Sequence, residues 1–169
     1  LVKYAFENKL PLIPRGAGTG TSGAALGNGI VIDLSKKFKN ILQVENGILH
    51  AECGVTIKQI SDFIKSTKFR VPSSPWNEER TLGGWLSSLP FPHGNYNLQE
   101  IIQSGNNDLL RVFLGAEGTL GIILEAKIKL REKQDNFEWG LYCFRTLQEC
   151  LDAARIALKH SPNLCDILE

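Results

Sequence analysis

Short apolar runs, separated by glycine-rich or charged turns, dominate the first third of the chain and are typical of small strands. Asn46-Gly47 lies between two of these runs and is the strongest short-range signal for a β-hairpin. The pattern therefore predicts a meander with glycine-rich turns. Its elements are a helix over residues 1–8 and strands over residues 12–13, 29–34, 40–44 and 48–53.

A helix that packs on the core is predicted from Thr56 to about residue 66. Thr56 and Gln59 have the spacing of a capping box, and Val55 with Ile60 has the spacing of a hydrophobic staple. The predicted buried face of this helix contains Ile57, Ile60, Ser61 and Ile64.

Two further segments precede a run of charged residues. Residues 108–114 are typical of a short helix or strand, and residues 122–130 alternate apolar and polar positions as a half-buried strand does. The charged run over residues 131–136 is interpreted as a solvated linker.

A β-α-β pattern follows this linker. Strands are predicted over residues 139–144 and 164–168, and Thr146 with Glu149 has the capping spacing of a helix start between them. The pattern indicates that a second, α+β domain begins here and is truncated at Glu169. We therefore predict two domains, over residues 1–132 and 137–169.

Composition and charge exclude several classes of protein. The 169 residues are 43% hydrophobic and carry a net charge of +1, so neither nucleic acid nor an anionic membrane is expected as a partner. No apolar run approaches the roughly 18 residues of a membrane span. The four cysteines form no C-x-x-C pair, so we predict no metal site and expect free thiols in a reducing cytoplasm. The chain starts inside a predicted helix and lacks Met, so we expect a fragment of a longer protein.

Residues 16–23, the first glycine loop, carry the strongest chemical signal in the sequence. The loop has four glycines, three hydroxyl side chains and Arg15 at its entrance. Glycines let several backbone N–H groups converge on one anion, and the hydroxyls and the guanidinium add further donors. A phosphate or pyrophosphate is the predicted ligand.

Three alternatives compete with this interpretation. Residues 18–23 match G-x-G-x-x-G, but that dinucleotide motif needs a helix directly afterwards and an acidic residue about 20 positions on. A strand follows instead, and Asp33 comes too early. A Walker loop lacks its Gly-Lys-Ser/Thr ending. The third alternative is a glycine-rich surface turn without a ligand.

Three later segments are also rich in small or turn-forming residues. Residues 71–75 contain two prolines and two serines, residues 81–88 read TLGGWLSS, and residues 115–121 read GAEGTLG. Each of the first two, taken alone, is typical of an ordinary loop. Their order along the chain is what makes them informative.

Together these motifs resemble the FAD-binding domain of the p-cresol methylhydroxylase (PCMH) and vanillyl-alcohol oxidase superfamily. The branch that looks closest contains the glycolate oxidase FAD subunit and the D-lactate and D-2-hydroxyglutarate dehydrogenases. The resemblance covers nearly the whole chain and rests on PRGAGTGTSG (14–23), GIVIDLS (29–35), GV (54–55), PSS (72–74), TLGGWLSS (81–88) and GAEGTLGII (115–123).

The resemblance implies an α+β fold, in which FAD lies between two small sheets with flanking helices and a cap domain follows. It also implies three groups of FAD contacts, which are the pyrophosphate loop, the flavin side and the ribose–adenine side. In that order they are Arg15, Gly16, Ala17, Gly18, Thr19, Gly20, Thr21 and Ser22; Ser73, Ser74, Thr81, Leu82, Gly83, Gly84 and Trp85; and Glu117, Gly118, Thr119, Ile122 and Ile123.

Two details refine the comparison with this family. Some relatives bind FAD covalently through a histidine near the first glycine loop, but residues 10–42 contain none, so noncovalent FAD is expected. His50 and His160 are interpreted as structural. Relatives also carry a longer segment where this chain has only residues 89–107, so we predict an internal gap near residues 88–94 that includes the surroundings of His93.

The function implied by the resemblance is oxidation of a small 2-hydroxy acid, such as D-lactate, glycolate or D-2-hydroxyglutarate, by hydride transfer to FAD. The catalytic residues are expected outside this chain, so none is named. An electron acceptor or iron–sulfur partner is expected, in the cytoplasm or at a membrane through partner subunits. The alternatives are an alkylglycerone-phosphate synthase-like flavoenzyme and an FAD-binding subunit without its own activity.

Overall fold

A computed structural model describes residues 1–72, 77–88, 109–133 and 140–160. The chain divides into two compact units, Leu1–Lys133 and Gln134–Glu169. Ser73, Ser74, His93 and the predicted strand over residues 164–168 lie outside the described residues. Within the described residues, no helix is both long and apolar enough to cross a membrane.

The first unit begins with helix α1 (Val2–Glu7) and a small parallel sheet. Strands β1 (Leu12–Arg15) and β2 (Ile30–Asp33) pair in parallel, with Leu12 opposite Ile30 and Arg15 opposite Asp33. The predicted meander is therefore wrong at this point. Parallel neighbours require a long connection, and here residues 16–29 provide it without a helix.

The second sheet is built around the predicted hairpin. Strands β3 (Ile41–Glu45) and β4 (Ile48–Glu52) are antiparallel, and β6 (Glu125–Lys129) pairs with the other edge of β4. Asn46 and Gly47 have φ angles of 51° and 74°. Positive φ at both positions matches the twist of a two-residue hairpin turn, so the Asn-Gly prediction is confirmed.

Helix α2 (Ile57–Phe63) packs with this sheet and forms the core of the unit. It ends three residues earlier than predicted. Its predicted apolar residues Ile57, Ile60 and Ile64 are buried, together with Leu49 and Ala51 of β4. The capping box is also present, because the Thr56 hydroxyl accepts from the Gln59 amide and the Gln59 side chain accepts from the Thr56 amide.

The Thr56 cap gives a first testable expectation. Thr56→Ala removes the acceptor for the Gln59 amide, so the free energy of unfolding should fall by about 1 kcal/mol. Urea denaturation followed by far-UV circular dichroism measures the change. Thr56→Ser keeps the hydroxyl and is the matched control; equal stability losses in the two variants would contradict a role for the cap.

Helix α3 (Leu82–Ser87) corrects the interpretation of the TLGGWLSS segment as a loop. The Thr81 hydroxyl caps its first turn by accepting from the Gly84 amide at 3.3 Å. The helix is also fixed from outside, since the Leu82 and Gly83 amides donate to the carbonyls of Val55 and Cys53. Tertiary hydrogen bonds and the cap thus outweigh the poor helix propensity of two consecutive glycines.

The charged segment after β6 was predicted to be a solvated linker, but its first residues form a strand. Within residues 131–133, Arg131–Glu132 forms strand β7, which pairs antiparallel with β5 (Phe69–Arg70). Lys133 donates to the carbonyls of Lys65 and Thr67, each at 2.6 Å. The start of the predicted linker therefore belongs to the first unit. Helix α4 (Leu109–Phe113) and a short 3-10 helix (Leu34–Lys36) also belong to that unit.

The second unit contains helix α5 (Leu147–Leu158). Thr146 caps it by accepting from the Glu149 amide at 3.2 Å, as predicted. The strand predicted over residues 139–144 is wrong for the described residues 140–144, which form no strand. The apolar pattern predicts one buried face of a strand. Leu141 and Tyr142 are however 76% and 78% exposed, so no neighbouring element among the described residues covers them.

Candidate functional site

An open cleft in the first unit brings three glycine-containing segments together. These segments are the first glycine loop, the start of α3 with Thr81, and the turn that precedes β6. The resemblance to the FAD-binding domain had implied that these segments contact one ligand. Lining residues that were predicted as cofactor contacts are Gly16, Ala17, Gly18, Thr19, Gly20, Ser22, Thr81, Gly83, Gly84, Glu117, Gly118 and Ile123.

Backbone hydrogen bonds hold the second and third segments together. The Glu117 amide donates to the Ser87 carbonyl at 2.8 Å, and the Gly115 amide donates to the Leu86 carbonyl at 3.2 Å. The turn before β6 is therefore attached to the last residues of α3. Because these are backbone bonds, they fix the wall of the cleft independently of side-chain rotamers.

Close approaches bring the first glycine loop to Thr81, and the turn before β6 to Pro14 of β1, directly before that loop. A Cβ atom on Gly16 would meet the Thr81 hydroxyl, and one on Gly118 would lie 2.6 Å from Cγ of Pro14. Real Cβ atoms do not come this close to their neighbours. A larger residue at Gly16 would push the loop away from Thr81, and one at Gly118 would push the turn before β6 away from Pro14. Gly16 and Gly118 therefore line the cleft and also allow its segments to pack closely together.

The first glycine loop carries backbone donors that have no acceptor among the described residues. Among the described residues, none accepts a hydrogen bond from the backbone N–H groups of residues 17–22. The Thr19 and Ser22 side chains line the same opening, and the Arg15 guanidinium lies directly against Gly18. Unpaired amides beside hydroxyls and a cation are the kinds of donor that an anion such as pyrophosphate requires.

Arg15 and Asp33 lie opposite each other at the ends of β1 and β2. A hydrogen bond from the Ser35 hydroxyl lowers the pKa of the Asp33 carboxyl, and the charges of Lys36 and Arg15 lower it further. Asp33 therefore stays ionised beside the loop.

Glu117 has an unusual backbone conformation at the far side of the cleft. Its φ angle is 50° and that of Gly118 is 79°, while the Thr119 amide donates to the Ala116 carbonyl at 3.0 Å. This combination is typical of a tight turn of type I′. A non-glycine residue with positive φ is uncommon, and here the turn places an exposed carboxylate on the cleft lining.

The remaining predicted contacts fall into three groups. Leu82 and Trp85 are 0% and 6% exposed and belong to the hydrophobic core, and their contact with the cofactor stays a prediction. Ser73 and Ser74 lie outside the described residues. Four further residues lie beside the cleft without lining it: Arg15, Thr21, Thr119 and Ile122.

Several lining residues were not predicted. Ser87 and Ser88 stand in the TLGGWLSS motif itself, so the motif could have indicated them. Arg80 directly precedes it. Pro14, Leu34 and Gly121 also stand in sequence motifs that carry the family resemblance. The others are Ala24, Ala25 and Cys53, which only the folded chain brings to the cleft.

Cys53 lines the cleft floor and is almost completely buried. Burial raises the pKa of its thiol from 9.0 to about 12, and the nearby Glu125 carboxylate contributes in the same direction. The thiol is therefore protonated and a poor nucleophile at neutral pH.

This pKa shift predicts a pH dependence of stability. The folded state holds the Cys53 thiol proton more tightly than the unfolded state does. The protonated thiol therefore contributes fully to the free energy of unfolding below pH 9.0, and this contribution is lost as the pH rises towards about 12. Unfolding free energies of the wild type and Cys53→Ala should therefore converge over that interval. Urea titrations at several pH values measure the difference, and a constant difference would contradict the buried, protonated thiol.

Comparisons with known proteins agree with this geometry. A family profile described as FAD binding domain matches residues 1–95. A D-lactate dehydrogenase from Archaeoglobus fulgidus is 26% identical over 196 positions, which cover 100% of this chain and 44% of that protein. D-2-hydroxyglutarate dehydrogenase from Escherichia coli is 34% identical over 84 residues, covering 48% of this chain and 8% of that protein.

The solved structures include a chain with a similar fold. An alkyldihydroxyacetonephosphate synthase is 23% identical, with a TM-score of 0.61, and the match covers 78% of this chain and 31% of that one. At this identity the similarity concerns the fold. The present chain spans less than half the length of the D-lactate dehydrogenases it matches.

Proposed function

This chain belongs to the FAD binding domain family, and on that premise we propose that its cleft holds FAD noncovalently, with the pyrophosphate on the first glycine loop. The observation that carries the proposal is the row of backbone N–H groups over residues 17–22, which have no acceptor among the described residues. Two adjacent phosphates need several such donors at once.

The other lining residues suit the rest of the cofactor. Gly118 and Ile123 provide a surface of backbone and aliphatic side chain on which a flat adenine ring could pack. The Glu117 carboxylate is a hydrogen-bond acceptor for ribose hydroxyls. On the opposite wall, Thr81 and Gly84 at the start of α3 are proposed to face the pyrophosphate and the flavin side.

For the whole protein, we propose oxidation of a small 2-hydroxy acid. The support is the similarity to proteins named D-lactate dehydrogenase and D-2-hydroxyglutarate dehydrogenase. When bound, FAD supplies the acceptor for the hydride that leaves the α-carbon of the acid. The role of the described residues is to bind and orient that cofactor. An electron acceptor or iron–sulfur partner completes the proposed reaction.

The domain organisation is also part of the proposal. We propose that residues 137–169 begin a cap domain and that the chain has an internal gap near residues 88–94. The alignment with the Archaeoglobus fulgidus protein supports a gap, because it extends over 196 positions and the chain supplies 169 residues. At least 27 positions of that relative therefore have no counterpart here.

The test begins with the purified chain and FAD. Quenching of flavin fluorescence on titration, and release of all flavin into the supernatant after acid precipitation, are expected for noncovalent binding. A protein that never acquires the yellow flavin spectrum would contradict the proposal. Flavin that stays with the acid-precipitated protein would contradict the noncovalent part only.

The substrate class is tested on the full-length gene product with bound FAD. Anaerobic addition of D-lactate, glycolate or D-2-hydroxyglutarate should bleach the flavin absorbance, and an added electron acceptor should restore it. Bound flavin that none of these acids bleaches would contradict 2-hydroxy-acid oxidation. That result would instead favour a flavoenzyme without net redox turnover or a binding subunit.

A further inference from the structure

Arg80 contributes a cation to the cleft. It lies immediately before the Thr81 cap of α3, and its side chain lines the cleft together with Ser88. Its backbone is fixed on both sides, because the Arg80 amide donates to the Asn77 carbonyl at 3.2 Å and its carbonyl accepts from the Ile57 amide at 2.9 Å. The side chain therefore starts from a rigid position.

The Arg80 guanidinium is held by a single polar contact. Its Nη1 atom donates to the Ser88 hydroxyl oxygen at 3.4 Å, and that hydroxyl donates in turn to the Gly84 carbonyl at 2.7 Å. A guanidinium has five N–H donors. Most of the hydrogen-bonding capacity of Arg80 is thus unused by the described residues.

The charges around Arg80 are not balanced by a carboxylate. In the part of the chain that the structure describes, no acidic group lies within 4.0 Å of its guanidinium. The neighbouring Glu79 is paired with Lys58 at 3.6 Å. Arg80 and Glu117 are the charged residues of the described lining, and Glu117 comes from the turn before β6. A guanidinium in this position favours an anionic ligand.

We propose that Arg80 binds a negatively charged group of the flavin nucleotide, with Ser88 as the positioning residue. This inference rests on the proposed FAD site. Two parts of the ligand carry suitable charge: the pyrophosphate at all times, and the ring system once it is reduced. The pyrophosphate is the expected source, because Thr81, next in sequence to Arg80, contacts Gly16 of the first glycine loop.

The experiment compares FAD affinity in the wild type, Arg80→Gln and Arg80→Lys. Loss of the guanidinium should raise the dissociation constant about 10- to 100-fold at low salt, with a smaller rise for Lys. The dependence of affinity on salt should also weaken in Arg80→Gln. Lys127→Gln, on the exposed face of β6, removes a cation away from the cleft and is the matched control. Thermal melts check that each variant folds.

Two further measurements identify the charged group. Riboflavin lacks phosphates, so its affinity should be unchanged in Arg80→Gln if the guanidinium binds the pyrophosphate. If Arg80 instead faces the reduced ring, FAD affinity should stay the same and the flavin midpoint potential should fall. Unchanged affinity and potential in both folded variants would overturn the inference. Failure of the wild type to bind FAD would overturn the proposed function itself, whatever the variants do.

Discussion

Replacing Gly54 with alanine is expected to lower the free energy of unfolding by about 3 kcal/mol. Gly54 is buried two residues after the end of β4, and a Cβ atom there would collide with the carbonyl oxygens of Leu34 and Phe38. Those obstacles are backbone atoms, which cannot rotate away as a side chain does. The chain around residues 34–38 would have to shift, and it also supplies Leu34 to the cleft lining.

The Gly54 prediction has an internal comparison. A Cβ atom on Gly20 would have no atom within 4 Å, so Gly20→Ala should keep the stability of the wild type. Urea unfolding monitored by tryptophan fluorescence is suitable because Trp85 is buried in the core of the same unit. Equal unfolding midpoints for Gly54→Ala and Gly20→Ala would contradict the packing argument.

Gly20→Val is expected to weaken FAD binding by about 100-fold, which corresponds to about 2.7 kcal/mol, without destabilising the free protein. The space around Gly20 is open and its φ angle is not in the left-handed region, so the folded chain accepts a side chain. In the proposed complex that space belongs to the pyrophosphate. An isopropyl group would keep the phosphates away from the loop amides.

The separation of affinity from stability is what makes the Gly20 variant informative. Flavin fluorescence titration gives the dissociation constant, and a thermal melt without FAD gives the stability of the free protein. Ser66→Val, at an exposed position beyond the end of α2, is a control for adding the same side chain away from the cleft. Wild-type affinity in Gly20→Val would remove the first glycine loop from the proposed pyrophosphate site.

Local signals in the sequence predicted local structure well. Asn46-Gly47 specified the hairpin turn because few residue pairs accept two positive φ angles. Thr56 with Gln59 specified the start of α2, since both partners of a capping box lie within one turn of helix. The family membership predicted from the order of the glycine motifs is confirmed as well.

Predictions that depended on distant partners were less successful. The parallel pairing of β1 with β2 leaves no mark on either strand alone. Arg131 and Glu132 read as a solvated linker because their partners, Phe69 and Arg70, are far away in sequence. Within the TLGGWLSS motif, burial of Leu82 and Trp85 follows from the position of α3 against the core, which composition does not encode.

The unpaired amides of the first glycine loop have a consequence for exchange with solvent. Without an internal acceptor, the N–H groups over residues 17–22 should exchange with deuterium nearly as fast as in an unfolded chain, although β1 and β2 on either side are hydrogen-bonded to each other. A ligand that accepts from these groups would slow their exchange at once. The amides of residues 17–22 would then form their hydrogen bonds with the ligand and not with the protein. Deuterium uptake over these residues would therefore report whether the ligand is bound.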